Sequence, residues 1–231
     1  MQAVDVMTPK VITVSPDADV REIARLLLEN NISAVPVVDA EERVLGIVSE
    51  GDLMRRVGSG SEQSKSWWLK AFFTGGNSAS EYVKTHARKA HEIMTRDPIT
   101  IGEDESLQRV AKLLEKHHIK RVPVVRDGRL VGIVSRANLL RGFSATAPDA
   151  QTSVTTDDRQ IRDAILKEVD ENTGVWVDRI NVIVTEGVVQ VWGLVESQEE
   201  KMAVQVAAEN TPGVKSVENN LGMVPRGVGH F

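Results

Sequence analysis

The sequence predicts a mixed α/β (α+β) protein in which one β-α-β-β-α unit is used twice and a smaller α/β unit of different pattern follows. An internal repeat is the first reason. VMTPKVITVSPDADVREIARLLLENNISAVPVVDAEERVLGIVSEGDLMRR (6–56) aligns with IMTRDPITIGEDESLQRVAKLLEKHHIKRVPVVRDGRLVGIVSRANLLRG (93–142). The second is a hydrophobic period that switches between strand and helix spacing at matched places in both copies. Composition is the third: 41% hydrophobic and 26% charged residues across 231 positions is ordinary for a soluble globular chain.

Each repeat opens on a β-branched run, KVITV in the first and PITI in the second. An amphipathic helix follows. Val20, Ile23, Ala24 and Leu27 fall at i, i+3, i+4 and i+7, and Leu107, Val110, Ala111 and Leu114 repeat the spacing. Two strands then flank a turn, AVPVVD and VLGIVS in copy one, RVPVVR and LVGIVS in copy two. A second helix starts directly after the serine. The alignment offset is 87 at Met7/Met94, Thr13/Thr100 and Pro36/Pro123, and 86 at Gly46/Gly132, because the DAEERV connection is one residue longer than RDGRL. An insertion confined to a polar turn is what a surface hairpin tolerates. A unit this small buries little core alone, so the copies are expected to pack together as a pseudo-twofold pair.

The repeats occupy 1–56 and 91–143. Between them, 57–90 is an aromatic and basic insert, partly helical, with Ser80 as the cap of a helix through EYVKTHARKA. Trp67, Trp68, Phe72 and Phe73 are four of the chain's eight Trp and Phe residues, which predicts packing on the repeats or on a second subunit. Residues 144–156, rich in Ser, Thr and Ala, read as a linker. From 157 to 225 the pattern is helix, two strands joined at Glu186-Gly187, a helix capped by Ser197 with Glu200 at capping-box spacing, and a closing strand. Residues 226–231 form a tail.

Charge and composition exclude several classes. The net charge is −5, made of 13 acidic and 7 basic residues from 151 onward against 20 and 21 before it. Neither part is basic enough for nucleic acid to be expected as a ligand. There is no cysteine, so disulfides, thiolate metal sites and cysteine nucleophiles are ruled out. The five histidines, with His117 and His118 adjacent, form no metal-ligand spacing, and a surface or cap role suits that pair. No phosphate loop or nucleophile elbow is present, so no catalytic residue or required cofactor is assigned. MQAVDVMTPKVITV lacks a basic region followed by an apolar one, and no apolar run approaches membrane-spanning length, so a cytoplasmic protein is expected.

The site predicted by the repeat is the strand-to-helix junction at Gly-Ile-Val-Ser. Amides of the first helical turn lack intrahelical partners and favour an anion, with Ser49 or Ser135 beside it. Asp52 and Asn138 lie three residues on; a carboxylate there can accept from both vicinal hydroxyls of a ribose. Thr13-Val14 and Ala34-Val35-Pro36 would offer apolar walls and backbone groups to a purine in copy one, Thr100-Ile101 and Val122-Pro123 in copy two. Ser-x-x-Asp is equally close to a capping box that merely starts the helix. The copies differ: copy one has the acid and Ser33-Ala34, whereas copy two has Asn138 with Lys120-Arg121 upstream. Loss of the acid forfeits about 1–3 kcal/mol of ribose recognition, and an arginine fork on a phosphate recovers part of it.

The motifs DVMTPKVITVSP, SAVPVVD and GIVSEGD, repeated as EIMTRDPITIGE, KRVPVVRDGRLVGIVS and RAN, resemble the CBS family, here as a tandem pair (a Bateman module). The resemblance implies a cleft that binds an adenosine-containing regulatory ligand: AMP, ADP or ATP, with S-adenosylmethionine or NAD as alternatives. In the family pattern Gly-h-x-Ser/Thr-x-x-Asp contacts phosphate and ribose, which carries over fully to Ser49 and Asp52 and only in part to Ser135. It also implies a homodimer through the CBS pairs. INVIVTEGVVQVWGLVESQEEKMAVQVAAENTPGVKSVENNL is similar to the BON family, a small α/β module linked to lipid or other hydrophobic surfaces. This copy's charge of −6 disfavours an anionic membrane. The expectation is a non-catalytic nucleotide sensor signalling through dimer geometry and the BON domain to an unknown protein partner. A ligand-independent scaffold and a membrane-surface adaptor are the alternatives. Whether the BON unit touches the repeats is not legible.

Overall fold

In the computed structural model of the protein, residues 1–58, 88–145 and 154–224 are described. Trp67, Trp68, Phe72 and Phe73, the helix assigned to Ser80, most of the linker and the tail lie outside the described residues. Elements in chain order are α1 (Ala3–Val6), α2 (Val20–Glu29), β1 (Ala34–Val38), β2 (Val44–Ser49), α3 (Glu50–Gly58), α4 (Ala90–Ile93), β3 (Thr95–Arg96), β4 (Ile101–Gly102), α5 (Leu107–Lys116), β5 (Arg121–Arg126), β6 (Arg129–Ser135) and α6 (Arg136–Ala145). The last unit contributes α7 (Thr156–Asn172), β7 (Ile180–Thr185), β8 (Val188–Val195), α8 (Gln198–Glu209) and β9 (Ser216–Met223). The mixed α/β class follows directly from this order.

Two compact units result, Ile12–Pro98 and Met1–Val11 with Ile99–Phe231. Their boundaries cut across the sequence repeat, since each lead segment packs on the other copy. In the first unit Ile23 and Leu27 of α2 meet Val35, Val37 and Val48 of the β1-β2 hairpin, and Ile93 and Met94 complete that core. In the second, Val6 and Met7 join Val110 and Leu114 of α5 and Val122, Val124 and Val134 of the β5-β6 hairpin. The exchange rests on glycine. A Cβ at Gly132 would lie 2.4 Å from Met7 Sδ and 3.2 Å from the Thr8 carbonyl, and one at Gly46 would lie 2.4 Å from Met94 Sδ and 2.9 Å from the Thr95 carbonyl. Each Met-Thr segment therefore lies flat on the glycine of a Gly-Ile-Val-Ser strand.

The lead strands are shorter than expected. KVITV contributes one bridge, Val14 to Val37, and PITI contributes only Ile101, the first residue of the two-residue β4. Lys10 (φ 51°) and Asp97 (φ 47°), at equivalent positions, turn the chain through left-handed conformations beside Pro9 and Pro98, which also lack the N–H a ladder needs. The short turns α1 and α4 just before them carry no periodic pattern and were not foreseen. Helices α2 and α5 run as predicted and end alike, with Asn31 (φ 52°) and His118 (φ 53°) left-handed. The amides of Ile32 and Ile119 then reach back to Leu27 and Leu114. His118 is thus a helix terminator.

The C-terminal unit has its own sheet, β7-β8-β9, antiparallel then parallel, and its own core of Ile165 and Val169 from α7, Val204 from α8 and the inward valines of β7 and β8. Glu186 and Gly187, both at positive φ, make the tight turn their sequence announces. All six residues of β7 are buried. One face lies on the unit's own helices, while Ile183 on the other belongs to the core of the second repeat.

Substituting Gly46 or Gly132 by alanine is expected to cost about 1–3 kcal/mol of stability, read by denaturant unfolding, because backbone carbonyls oppose the new methyl. Asp158 ties α7 to the β7-β8 turn, accepting from the Thr155 amide (3.0 Å), the Thr155 hydroxyl (2.9 Å) and the Gly187 amide (2.8 Å). Burial pushes its carboxyl up, but these bonds outweigh it and hold the group below its ordinary value. A depressed acid stabilises above its unfolded pKa and loses that contribution as pH falls through the folded one. Asp158→Asn should therefore flatten the loss of stability below about pH 4 in acid titrations.

Candidate functional site

The β1-β2 and β5-β6 hairpins bring the predicted pieces of each site together. Register places Ala34 opposite Ser49 and Arg121 opposite Ser135, so residues that precede Val-Pro-Val in the sequence stand beside the serine in space. Val14 enters the same region through its amide to the Pro36 carbonyl (3.1 Å), and Ile101 pairs with Val124. The site's floor is therefore backbone from three segments, with a helix starting at its edge.

The side chains divide less favourably than the sequence suggests. Val14, Val35, Ile101 and Val122 are buried in the hydrophobic cores. Their side chains face the cores, so of the apolar walls and backbone groups expected from them it is the backbone that is left to face outward. Ala34, Pro36 and Pro123 lie on the opposite sheet face from Val35 and Val122, as strand alternation requires. Thr13 is half-buried and Thr100 and Lys120 are exposed.

Both serine junctions are capped. Ser49 donates from its amide (3.0 Å) and hydroxyl (2.7 Å) to Asp52 Oδ2. Ser135 donates in the same way to Asn138 Oδ1, at 2.9 and 2.6 Å. Aspartate and asparagine thus do identical work toward their serines, and both are buried. Asn138 then does something an aspartate cannot. Its Nδ2 donates to the Val6 carbonyl at 2.9 Å and lies 3.4 Å from Thr8 Oγ1.

Electrostatically the junctions are opposites. The first helical turn holds Glu50 and Asp52 in copy one. In copy two Arg136 takes the place of Glu50, and its amide donates to the Lys120 carbonyl while its guanidinium donates to the Ile119 carbonyl. Three cations, Lys120, Arg121 and Arg136, cluster at the second junction. Arg136 was missed by sequence reasoning, although the reversal from Ser-Glu to Ser-Arg sits inside the motif itself.

A phosphate at either serine would compete with a cap for the hydroxyl proton, or bind the amides of the exposed first turn. The arrangement can hold an anion and a planar ring against backbone. Among the described residues it brings together no pair of side chains placed for acid–base work.

Residues 3–59 and 90–145 match the CBS domain pattern, and residues 157–225 match the BON domain pattern. The uncharacterized protein MJ1426 of Methanocaldococcus jannaschii is 31% identical over 145 residues, a match spanning 86% of that protein and 58% of this chain. The chain belongs to the CBS family. It is a tandem CBS pair followed by a BON domain. The chloroplastic CBS domain-containing protein CBSX1 of Arabidopsis thaliana is 34% identical over 134 residues, covering 55% of this chain and 57% of that one, so the match spans little more than half of that relative. CBSX2 of the same plant, solved in complex with AMP, is 27% identical with a TM-score of 0.53, covering 62% of this CBS–BON chain and 96% of that structure. Among the described residues no helix is long and apolar enough to cross a membrane.

Because Asp52 caps α3, Asp52→Ala should destabilise the protein by about 1 kcal/mol without any ligand. Asp52→Asn, which reproduces the second junction, should leave the melting temperature nearly unchanged in thermal unfolding.

Proposed function

We propose that this CBS–BON protein is a non-catalytic regulatory sensor whose CBS pair binds an adenine nucleotide of the AMP, ADP or ATP type. The observation that carries this reading is the Ser49–Asp52 junction: a backbone-floored strand-to-helix corner in a family whose member CBSX2 has been solved with AMP. Asp52 is the ribose acceptor, and the amides at the start of α3 face the phosphate. Ligand preference for one packing arrangement over another would supply the regulatory output. Self-association presents that output, through helix faces such as that of α6, where Leu140 and Phe143 are 70% and 79% exposed.

A ligand-independent scaffold is the second reading, favoured by one observation: both serine hydroxyls are already engaged in caps.

Thermal shift with AMP, ADP, ATP, S-adenosylmethionine and NAD separates the two. At ligand concentrations about 100-fold above Kd a true ligand stabilises by about 2.7 kcal/mol, whereas a scaffold shows no shift with any of the five. Asp52→Asn, which keeps the cap, should weaken adenine-nucleotide binding by about tenfold or more in calorimetry. Unchanged affinity would remove Asp52 from the ribose contact.

A further inference from the structure

The two carbonyls that end α1 gather an unusual set of donors. Val6 O accepts from Asn138 Nδ2 (2.9 Å) and from Asn181 Nδ2 of β7 (2.8 Å). Met7 O accepts from Arg162 Nη2 of α7 (3.0 Å) and more distantly from Asn181 (3.3 Å), and Arg162 Nη1 donates to Val4 O. Arg159 adds an ion pair to the buried Asp5 (2.7 Å) and a bond to Gln2 Oε1 (2.6 Å). Asn138, from the second CBS junction, and Asn181, from the BON domain, thus meet on a single carbonyl oxygen. Ile183, two residues from Asn181 on the same face of β7, lies in the core of the second repeat.

Chemistry at that oxygen explains position 138. A carboxylate there would set an acceptor against the Val6 carbonyl, exactly where the amide now donates, so aspartate fits the cap but not the contact. Arg162 is 3% exposed, and among the described residues its guanidinium donates hydrogen bonds to carbonyls and to no carboxylate. Such a buried guanidinium is costly unless its partners stay in place, and it therefore depends on residues 4–7 holding this conformation. Arg162 Nε and Asn181 Oδ1 are buried without a partner among the described residues, so the contact is not fully satisfied and is weaker than its bond count implies.

We propose that the Ser135–Asn138 junction of the second repeat is the docking seat of the BON domain, with residues 1–8 as the layer between them, and that each chain consequently offers one adenosyl site, at Ser49–Asp52. The stoichiometric half rests on the nucleotide-binding reading above; the docking half does not. The exchange of aspartate for asparagine between the repeats is then a requirement of docking, because the seat needs a donor where a ribose site needs an acceptor.

Hydrogen exchange on the full chain tests the docking half. The amides of Ala3, Val4, Met7 and Thr8 are bonded to Glu105, Glu103, Ala3 and Ile133 carbonyls, so peptides covering residues 1–8 report the layer. Asn138→Asp and the milder Asn181→Ala should each speed exchange there by tenfold or more, while peptides in β8 and β9 stay protected and show the BON fold intact. Unchanged exchange over 1–8 in both variants overturns the docking seat. Calorimetry with AMP on the unsubstituted protein tests the other half: one site per chain is expected, and two sites overturn it. If AMP, ADP and ATP all fail to bind, the nucleotide reading falls, and the exchange result alone decides the docking seat.

Discussion

The close approach of a methionine-threonine segment to a glycine governs this structure. Met7 lies over Gly132 and Met94 over Gly46, and each contact carries a lead segment away from its own repeat into the core of the other. Only glycine permits it, because any Cβ would meet sulfur or a backbone carbonyl. Everything around the junctions follows from that placement. The chain reaches the floor of each site from a segment whose start is anchored elsewhere, and Val6 and Met7 present their carbonyls to the second junction and to the BON domain.

Capping and recognition compete for the same atoms here. Serine hydroxyl and amide converge on one side-chain oxygen at position 52 or 138, and the chemistry of the other side-chain atom distinguishes the junctions. In aspartate that atom is a second acceptor with charge, suited to hydroxyl groups. In asparagine it is a donor, and it points at the Val6 carbonyl. The charge reversal from Glu50 to Arg136 reinforces the contrast. Two junctions with the same serine-to-side-chain bonds therefore have opposite electrostatics and opposite hydrogen-bonding sense.

Much of the fold was legible because its signals are local. The spacing of Ile23 and Leu27, the turn at Glu186-Gly187 and the cap at Ser197, whose hydroxyl accepts from the Glu200 amide at 3.2 Å, are each set by neighbours within a few residues. The lead strands were overestimated because β-branched composition says nothing about Lys10 or Asp97 turning left-handed beside proline. Which atoms of the Val-Pro-Val strands face a ligand depends on strand pairing, which the motif does not state. Val35 and Val122 look like ligand contacts in a motif, yet strand alternation sends them into the core and leaves Ala34, Pro36 and Pro123 on the other side.

The sequence by itself determined the repeat, the α/β units, the serine junctions and the difference between Asp52 and Asn138, since these depend on periodicity and side-chain chemistry within short spans. Only the tertiary structure decided which copy each Met-Thr segment packs against and that the BON domain shares a core with the second repeat. It alone revealed that Asn138 and Asn181 donate to the same carbonyl. Those outcomes bring together residues as far apart as Val6, Asn138 and Asn181, and hydrophobic spacing, which reports the face a residue buries, does not report the partner that covers it.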